Sequence, residues 1–360
     1  MTPIAAELLG LLAEVLPRLA RITAFIAVGV FLANVAVAFG LIRYVAGLAG
    51  LLTRPANLPD EVGTAILTTA ASTTAGYATL AEYRESGLLD DRATLVAVVI
   101  NTFFGFVQHV FTYYVPVLIP ILGRTTGVLY VSARAGIALA ITVTGVMLGG
   151  LLLSERNVDR SALAGVDASG PGTDDRTADA RVREAAAKSW STLRRIVPRL
   201  AVVYTLVIGL VSRYDVSSLT AVAEPATSLL GLPGAAVPVV AVYTLDTTAG
   251  AVTIEPLLGD PFTPRTAVAT LLIGGILSFA VSTFRRSIPF QYGIWGASFG
   301  TKVIAVNTAL KLVFISLTVA LLLLPVWCHR TGSRWRPSRR SHRVRRRPRA
   351  RTSADTRPSR

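Results

Sequence analysis

Apolar segments of about 20 residues, the length that an α-helix needs to cross a membrane, constrain this 360-residue chain more than any other feature. One of them, ITAFIAVGVFLANVAVAFGLI, occupies residues 22–42 and lies between Arg21 and Arg43. In lipid every backbone N–H and C=O must find its partner inside the protein, so a helix is the expected form of such a segment. The sequence therefore predicts an all-α protein that crosses the cell membrane several times.

Composition agrees with this prediction and argues against several soluble classes. Hydrophobic residues make up 52% of the chain and charged residues only 16%, whereas an ordinary soluble domain is roughly 25% charged. The single cysteine, Cys328, cannot form an internal disulfide, and the three histidines lack zinc-site spacing. There is no GxxxxGK(S/T) phosphate loop. We expect no metal site, no cofactor, no catalytic residues and no enzymatic activity.

The chain repeats itself at an interval of 174 residues. The letters TTAG at Thr73–Gly76 return at Thr247–Gly250, and a Leu-Pro pair precedes each copy at the same distance. After the loss of one residue the interval becomes 173. Matched pairs in this register are Arg92 and Arg265, Phe106 and Phe279, Pro116 and Pro289, and Gly123 and Gly296. Because proline and glycine act on the backbone, we interpret the chain as two copies of one unit.

Changes in composition divide the chain into four parts. Residues 1–153 form the first membrane unit and residues 188–328 the second. The polar segment 154–187 between them is interpreted as a linker outside the membrane, with a helical last part. The tail, 329–360, has thirteen arginines and no lysine and is expected to be disordered. It could bind anionic lipid headgroups, bind nucleic acid without specificity, or be the out-of-frame end of a gene.

The polar segment 58–83 (LPDEVGTAILTTAASTTAGYATLAEY) determines the relative orientation of the two units. If it enters and leaves on the same side, each unit crosses three times and the second unit is inverted; if it crosses fully, the units are parallel. A helix from Pro59 to Thr73 spans about 21 Å, which stops short of the far side. We favour a re-entrant hairpin with Gly76 at the turn, and a buried Ala/Ser/Thr packing helix is the alternative. The long apolar segment 93–122 is expected to break at Pro116 and Pro120.

Polar residues inside the membrane are costly and are therefore candidate binding residues. We expect the two TTAG turns to meet and to line a central site with hydroxyl groups. Asp246, which occupies the position equivalent to Ser72, is expected to pair with an interior arginine, in a binding site or as a structural ion pair. Its candidate partners are Arg134, Arg285 and Arg286.

Asn101 and Gln108 lie on roughly one face of a broken helix, where they could bind a solute or bond to neighbouring helices. The full set of candidate binding residues is Thr73, Thr74, Asn101, Gln108, Asp246, Thr247, Thr248 and Arg286.

The segment 83–103 (YRESGLLDDRATLVAVVINTF) and the two-unit arrangement resemble the nucleoside-recognition, or gate, family of membrane proteins, most of all its archaeal members with two units. The resemblance covers residues 15–153 and, more weakly, 196–325, and it implies two gate-like repeats. Concentrative nucleoside transporters carry Gln-Thr-Glu and Pro-Glu-Ser hairpin signatures, whereas this chain has LTTAASTTAG and LDTTAG. Ferrous-iron gates carry cysteine and a Gly-Lys-Ser-like stretch that this chain lacks. Neither set of ligands can therefore be transferred to this chain.

Two functions are consistent with these observations. Broken helices that end near the membrane midplane are the usual binding device of secondary transporters, so we expect transport or permeation of a small polar solute or cation. The alternative is a non-transporting scaffold or partner protein in an envelope process. The expected partners are membrane lipids, the solute and a second copy of the chain, and we expect no specific nucleic acid.

Overall fold

The computed structural model describes residues 3–39, 52–159, 177–213, 225, 227–283 and 287–333. These residues are helical, with short turns between helices and no β-strand among them, which confirms the all-α prediction for this part of the chain. A π-helical stretch, Val110–Leu118, joins α5 to α6. The α-helices are α1 (Pro3–Ala38), α2 (Asp60–Ala71), α3 (Thr73–Glu85), α4 (Asp91–Ile100), α5 (Thr102–His109), α6 (Ile119–Leu152), α7 (Ala178–Arg213), α8 (Ala236–Leu245), α9 (Thr247–Ile254), α10 (Pro264–Ser282) and α11 (Ile288–Ser333).

Residues 3–159 are called the first half below, and residues 177–333 the second half. The end of the expected linker is helical, because α7 begins at Ala178 and continues to Arg213 without a break. Helix α11 continues past the expected boundary at residue 328 and ends at Ser333. The arginine-rich tail beyond that point lies outside the described residues.

A single extended residue, Ser72, separates α2 from α3. Its backbone has φ −149° and ψ 110°, and its side-chain oxygen accepts a hydrogen bond from the N–H of Ala75, which caps α3. A Cβ added to Gly76 would lie 2.7 Å from the Cα of Thr69, although an unbroken helix would hold residues seven apart at about 10 Å. Helix α3 therefore doubles back on α2. The turn is made at Ser72, and Gly76 is the point of closest approach between the two helices.

Asp246 has the same geometry between α8 and α9. Its backbone has φ −147° and ψ 121°, and its carboxylate accepts a hydrogen bond of 2.8 Å from the N–H of Ala249. A Cβ on Gly250 would lie 2.5 Å from the Cα of Tyr243. The two TTAG segments are thus the first turns of two helices that double back in the same way.

The long apolar segments also reverse direction, and they do so at glycines. Gly123 has φ 74° and ψ 167°, and Gly296 has φ 72° and ψ 166°. A Cβ on Gly127 would lie 2.8 Å from the Cα of Ile119, so the chain folds back on itself around Gly123. Only glycine adopts such a conformation without strain. Pro116 lies inside the π-helical stretch, where regular α-helix is interrupted.

The two halves share a continuous hydrophobic core. Helix α1 packs along α7, and α6 contacts α4, α10 and α11. One cluster of buried side chains includes Ile26, Ile141, Val239 and Leu272, which come from both halves. The hydroxyls of Tyr130 and Tyr243 meet at 2.6 Å in this core.

Two helical stretches of the described residues, Asp91–Leu152 and Ile288–Leu324, are long and apolar enough to cross a membrane. Shorter apolar helices cover Leu19–Leu32, Ala236–Leu245 and Pro264–Phe279. A larger number of crossings stays a prediction.

Candidate functional site

A cavity of about 290 Å³ lies among the start of α3, α5, α6, α10 and α11. Both halves contribute to its wall, and many of the lining residues occupy positions 173 residues apart in the sequence. These matched lining residues are Phe106 and Phe279, His109 and Ser282, Tyr114 and Ser287, Arg134 and Asn307, and Ala138 and Lys311. The cavity is therefore a feature of the interface between the halves. Neither half could form it alone.

Two cationic side chains face this cavity from opposite halves. The guanidinium of Arg134 donates to the hydroxyl oxygen of Tyr114 through Nε at 3.4 Å and Nη2 at 3.3 Å. The ammonium of Lys311 lies 5.7 Å from the centre of the Phe279 ring, within the range of a cation–π interaction. None of the lining residues in the described part of the chain is Asp or Glu. The site is therefore positively charged.

Asn101 lies between α4 and α5 at the wall of the cavity and is 1% exposed. Its Nδ2 donates to the hydroxyl oxygen of Thr69 at 2.9 Å, while the Thr69 hydroxyl donates to the carbonyl of Ala65 at 3.2 Å. Because Thr69 has used its only hydrogen, the Asn101 amide must present its nitrogen to it. Among the described residues, the Asn101 Oδ1 is left buried without a hydrogen-bond partner.

The first TTAG segment reaches the cavity through one residue. Thr73 is part of the lining, and its hydroxyl donates to the Oε1 of Gln108 at 3.0 Å. Gln108 thus positions Thr73 and is not itself among the lining residues. Thr74 is exposed.

The second TTAG segment makes a different contact. The hydroxyl of Tyr113 in the first half lies 3.0 Å from the Thr248 hydroxyl and 3.4 Å from that of Thr247. The carboxylate of Asp246 caps α9, and none of these three residues of the second segment is among the described lining residues. Arg286, like Arg285, lies outside the described residues.

Of the predicted binding residues, the structure brings Thr73 and Asn101 to the cavity. Sequence reasoning missed Tyr114 and Lys311. Lys311 had a signal, because it is the only charged residue in the apolar run from Val303 to Trp327. Arg134 was considered only as a partner for Asp246. Tyr114 carried no signal, because an aromatic residue in an apolar helix is ordinary.

Comparison with known proteins finds two uncharacterized relatives that match most of this chain. The uncharacterized protein MJ0871 of Methanocaldococcus jannaschii is 27% identical over 313 residues, which cover 84% of this chain and 93% of that protein. The uncharacterized protein MJ0880 of the same organism is 23% identical over 320 residues, which cover 86% and 99%. No family model matches this chain, and no solved structure matches it.

Proposed function

We propose that this protein is a polytopic membrane protein of two related, inverted units and that it moves a small polar solute across the membrane through the central cavity. The observation that carries the proposal is the cavity wall, where matched positions of the two halves face one shared cavity. Secondary transporters bind their substrates at such interfaces between repeats, next to broken helices.

Exposed apolar side chains support the membrane location. Phe25 in α1, Leu151 in α6 and Val313 in α11 are 60%, 77% and 61% exposed, and they belong to a larger set of exposed aliphatic and aromatic residues. A soluble monomer rarely exposes a large contiguous apolar surface. In lipid these side chains need no protein neighbour, so the same surface is stable there.

Matched backbone geometry supports two related units. Ser72 and Asp246 are both extended and both cap the helix that follows, and Gly123 and Gly296 share one unusual conformation. These similarities concern local backbone angles that low-complexity sequence would not impose. A duplicated unit explains them directly.

Helix length supports re-entrant hairpins and hence inversion. Helix α2 has 12 residues and α8 has 10, which gives about 18 Å and 15 Å of helix, about half of a ~30 Å hydrocarbon core. Neither helix can cross the membrane before the chain doubles back. Each unit then crosses an odd number of times, and the second unit is inverted.

Cysteine accessibility tests this proposal. Cys328→Ser removes the only cysteine of the chain, and Thr308→Cys then places a thiol on the cavity wall. In sealed vesicles we expect a charged, membrane-impermeant thiol reagent to label this cysteine from outside and, when trapped within, from inside. The matched control is Val313→Cys on the same helix, which should stay unlabelled because its side chain faces lipid.

Labelling from one side only, or from neither, would contradict a carrier and would favour a scaffold. Labelling of Val313→Cys in intact vesicles would contradict the membrane placement of α11.

A further inference from the structure

We infer that the occupant of the cavity is a small oxyanion, a solute that carries a carboxylate or phosphate group. The inference rests on the proposed function, and it replaces the neutral solute or cation expected from the hydroxyl-rich TTAG segments. It stands on the positions of Arg134 and Lys311, one from each half, at the wall of one cavity.

Within the described ranges, the two cations lack carboxylate partners. No ion pair joins Arg134 or Lys311 to an acidic residue among the described residues. Asp246, which the sequence suggested as a partner for Arg134, caps α9 and does not line the cavity. Both side chains are half-buried, and a charge partly removed from water is costly unless it is paired. Two like charges around one cavity add mutual repulsion to that cost. An anion in the cavity would remove both penalties.

The protein contacts that the cations do make are weak. The hydrogen bonds from Arg134 to Tyr114 are at the long end of the range, at 3.3 and 3.4 Å. The cation–π contact of Lys311 with Phe279, at 5.7 Å, lies near the outer limit of about 6 Å. These contacts orient the two side chains toward the cavity without neutralising them.

Further hydrogen-bond donors lie beside the cations. Asn307 and Thr308 precede Lys311 on α11 by about one helical turn, and both line the cavity. The Tyr114 hydroxyl accepts from Arg134, so its own hydrogen remains free to donate. Several donors around two cations form the donor set that recognises carboxylate and phosphate oxygens.

The internal repeat supplies mild test variants. Arg134 is matched by Asn307, and Lys311 is matched by Ala138. Arg134→Asn and Lys311→Ala therefore introduce residues that the opposite half already has at the equivalent position. Arg124→Asn is the matched control, because Arg124 is an exposed arginine on the same helix as Arg134 and does not line the cavity.

The test measures binding of sodium phosphate and sodium succinate to the purified full-length protein in a neutral detergent, by calorimetry, with sodium chloride of equal ionic strength as the baseline. Uridine is the uncharged probe. We expect saturable binding of at least one anion and none of uridine. Each cavity variant should weaken binding roughly 10- to 100-fold, as loss of a charge-assisted hydrogen bond does, and the Arg124→Asn control should leave it unchanged.

Binding measurements on the wild-type protein are enough to refute the inference, so it stays testable even if a variant fails to fold. Absence of binding by both anions, or binding of uridine in their place, would refute it. Unchanged anion affinity in both folded cavity variants would also refute it, since the anion would then sit elsewhere.

A lipid headgroup and a soluble anion share this chemistry, and titration with phosphatidylglycerol distinguishes them. Competition by the lipid identifies a headgroup as the occupant, whereas its absence identifies a soluble anion. Transport is judged separately. If anions bind but Thr308→Cys is not labelled from both sides, the anion site stands and the carrier proposal is refuted. Two-sided labelling without anion binding refutes only the anion.

Discussion

The tight reversal between α2 and α3 makes a strong prediction about Gly76. Replacing this glycine by alanine adds one methyl group where the two helices touch. That Cβ would lie 2.6 Å from the backbone nitrogen and 2.7 Å from the Cα of Thr69. Because these are backbone atoms, no rotamer change can relieve the clash.

The size of the effect follows from these distances. An ordinary contact begins at 3.4 Å, so the helices would have to separate by about 0.8 Å. A gap of that size removes a quarter to a half of the dispersion attraction between the surfaces that line it, and overpacking of a well-packed core costs roughly 1–3 kcal/mol. We expect Gly76→Ala to lower the free energy of unfolding by that amount and the apparent melting temperature by roughly 2–6 °C.

Thermal unfolding of the purified protein in detergent, followed by circular dichroism, measures this change. Gly136→Ala is the matched control, because Gly136 lies inside α6 and a Cβ added to it would have no atom within 4 Å. There the alanine should be neutral or should stabilise by roughly 0.5–1 kcal/mol, as alanine does within a helix. If Gly76→Ala unfolds at the same temperature as the control, the two helices do not approach as closely as described and the hairpin geometry is wrong.

Three further predictions use the same measurement. Ser72→Ala and Asp246→Ala each remove a helix cap and should cost about 0.5–2 kcal/mol; wild-type stability in both would contradict the capping. Gly123→Ala should cost roughly 1–3 kcal/mol through backbone strain alone, because no atom lies within 4 Å of the added Cβ, and an unchanged melting temperature would contradict the positive φ. Tyr130→Phe leaves the buried hydroxyl of Tyr243 unpaired and should cost about 1–3 kcal/mol, whereas adding Tyr243→Phe should restore part of the loss; strictly additive effects would rule out the hydroxyl pair.

The internal repeat of the sequence pairs positions that share an unusual backbone conformation, although it did not predict the conformation itself. The interval of 173 residues pairs Gly123 with Gly296, and these residues share φ and ψ within two degrees. The interval of 174 pairs Ser72 with Asp246, and both are extended helix caps. A repeat in the sequence can reveal such shared conformations, because each depends on one residue and its immediate neighbours.

The turn inside the hairpin shows the limit of that reasoning. Glycine was expected at the turn because it tolerates unusual backbone angles. The turn lies at Ser72, whose extended conformation any residue can adopt, and the glycine four residues later is required by the proximity of Thr69. A close approach between two helices leaves no mark in sequence that distinguishes it from a turn.

The sequence also did not predict the charge of the cavity. Asp246 was expected to pair with an interior arginine, either in a central site or as a structural ion pair. In the structure its carboxylate accepts a hydrogen bond from the N–H of Ala249 at the start of α9. An aspartate can cap a helix or supply a charge to a site, and the sequence alone does not distinguish these two roles. Lys311 lies on the cavity wall, but in the sequence it is only a lone charge in an apolar run, with nothing to say what it faces.

The chain by itself determined that it is helical and which positions of its two halves share a backbone conformation, because helix formation, capping and positive φ are governed by residues close together in sequence. Only the tertiary structure decided which polar groups share a space. Arg134 and Lys311 stand 177 positions apart in the chain, and they line one cavity because α6 packs against α11. The electrostatic character of the site follows from that packing, since the distance between two charges is set by where the helices cross.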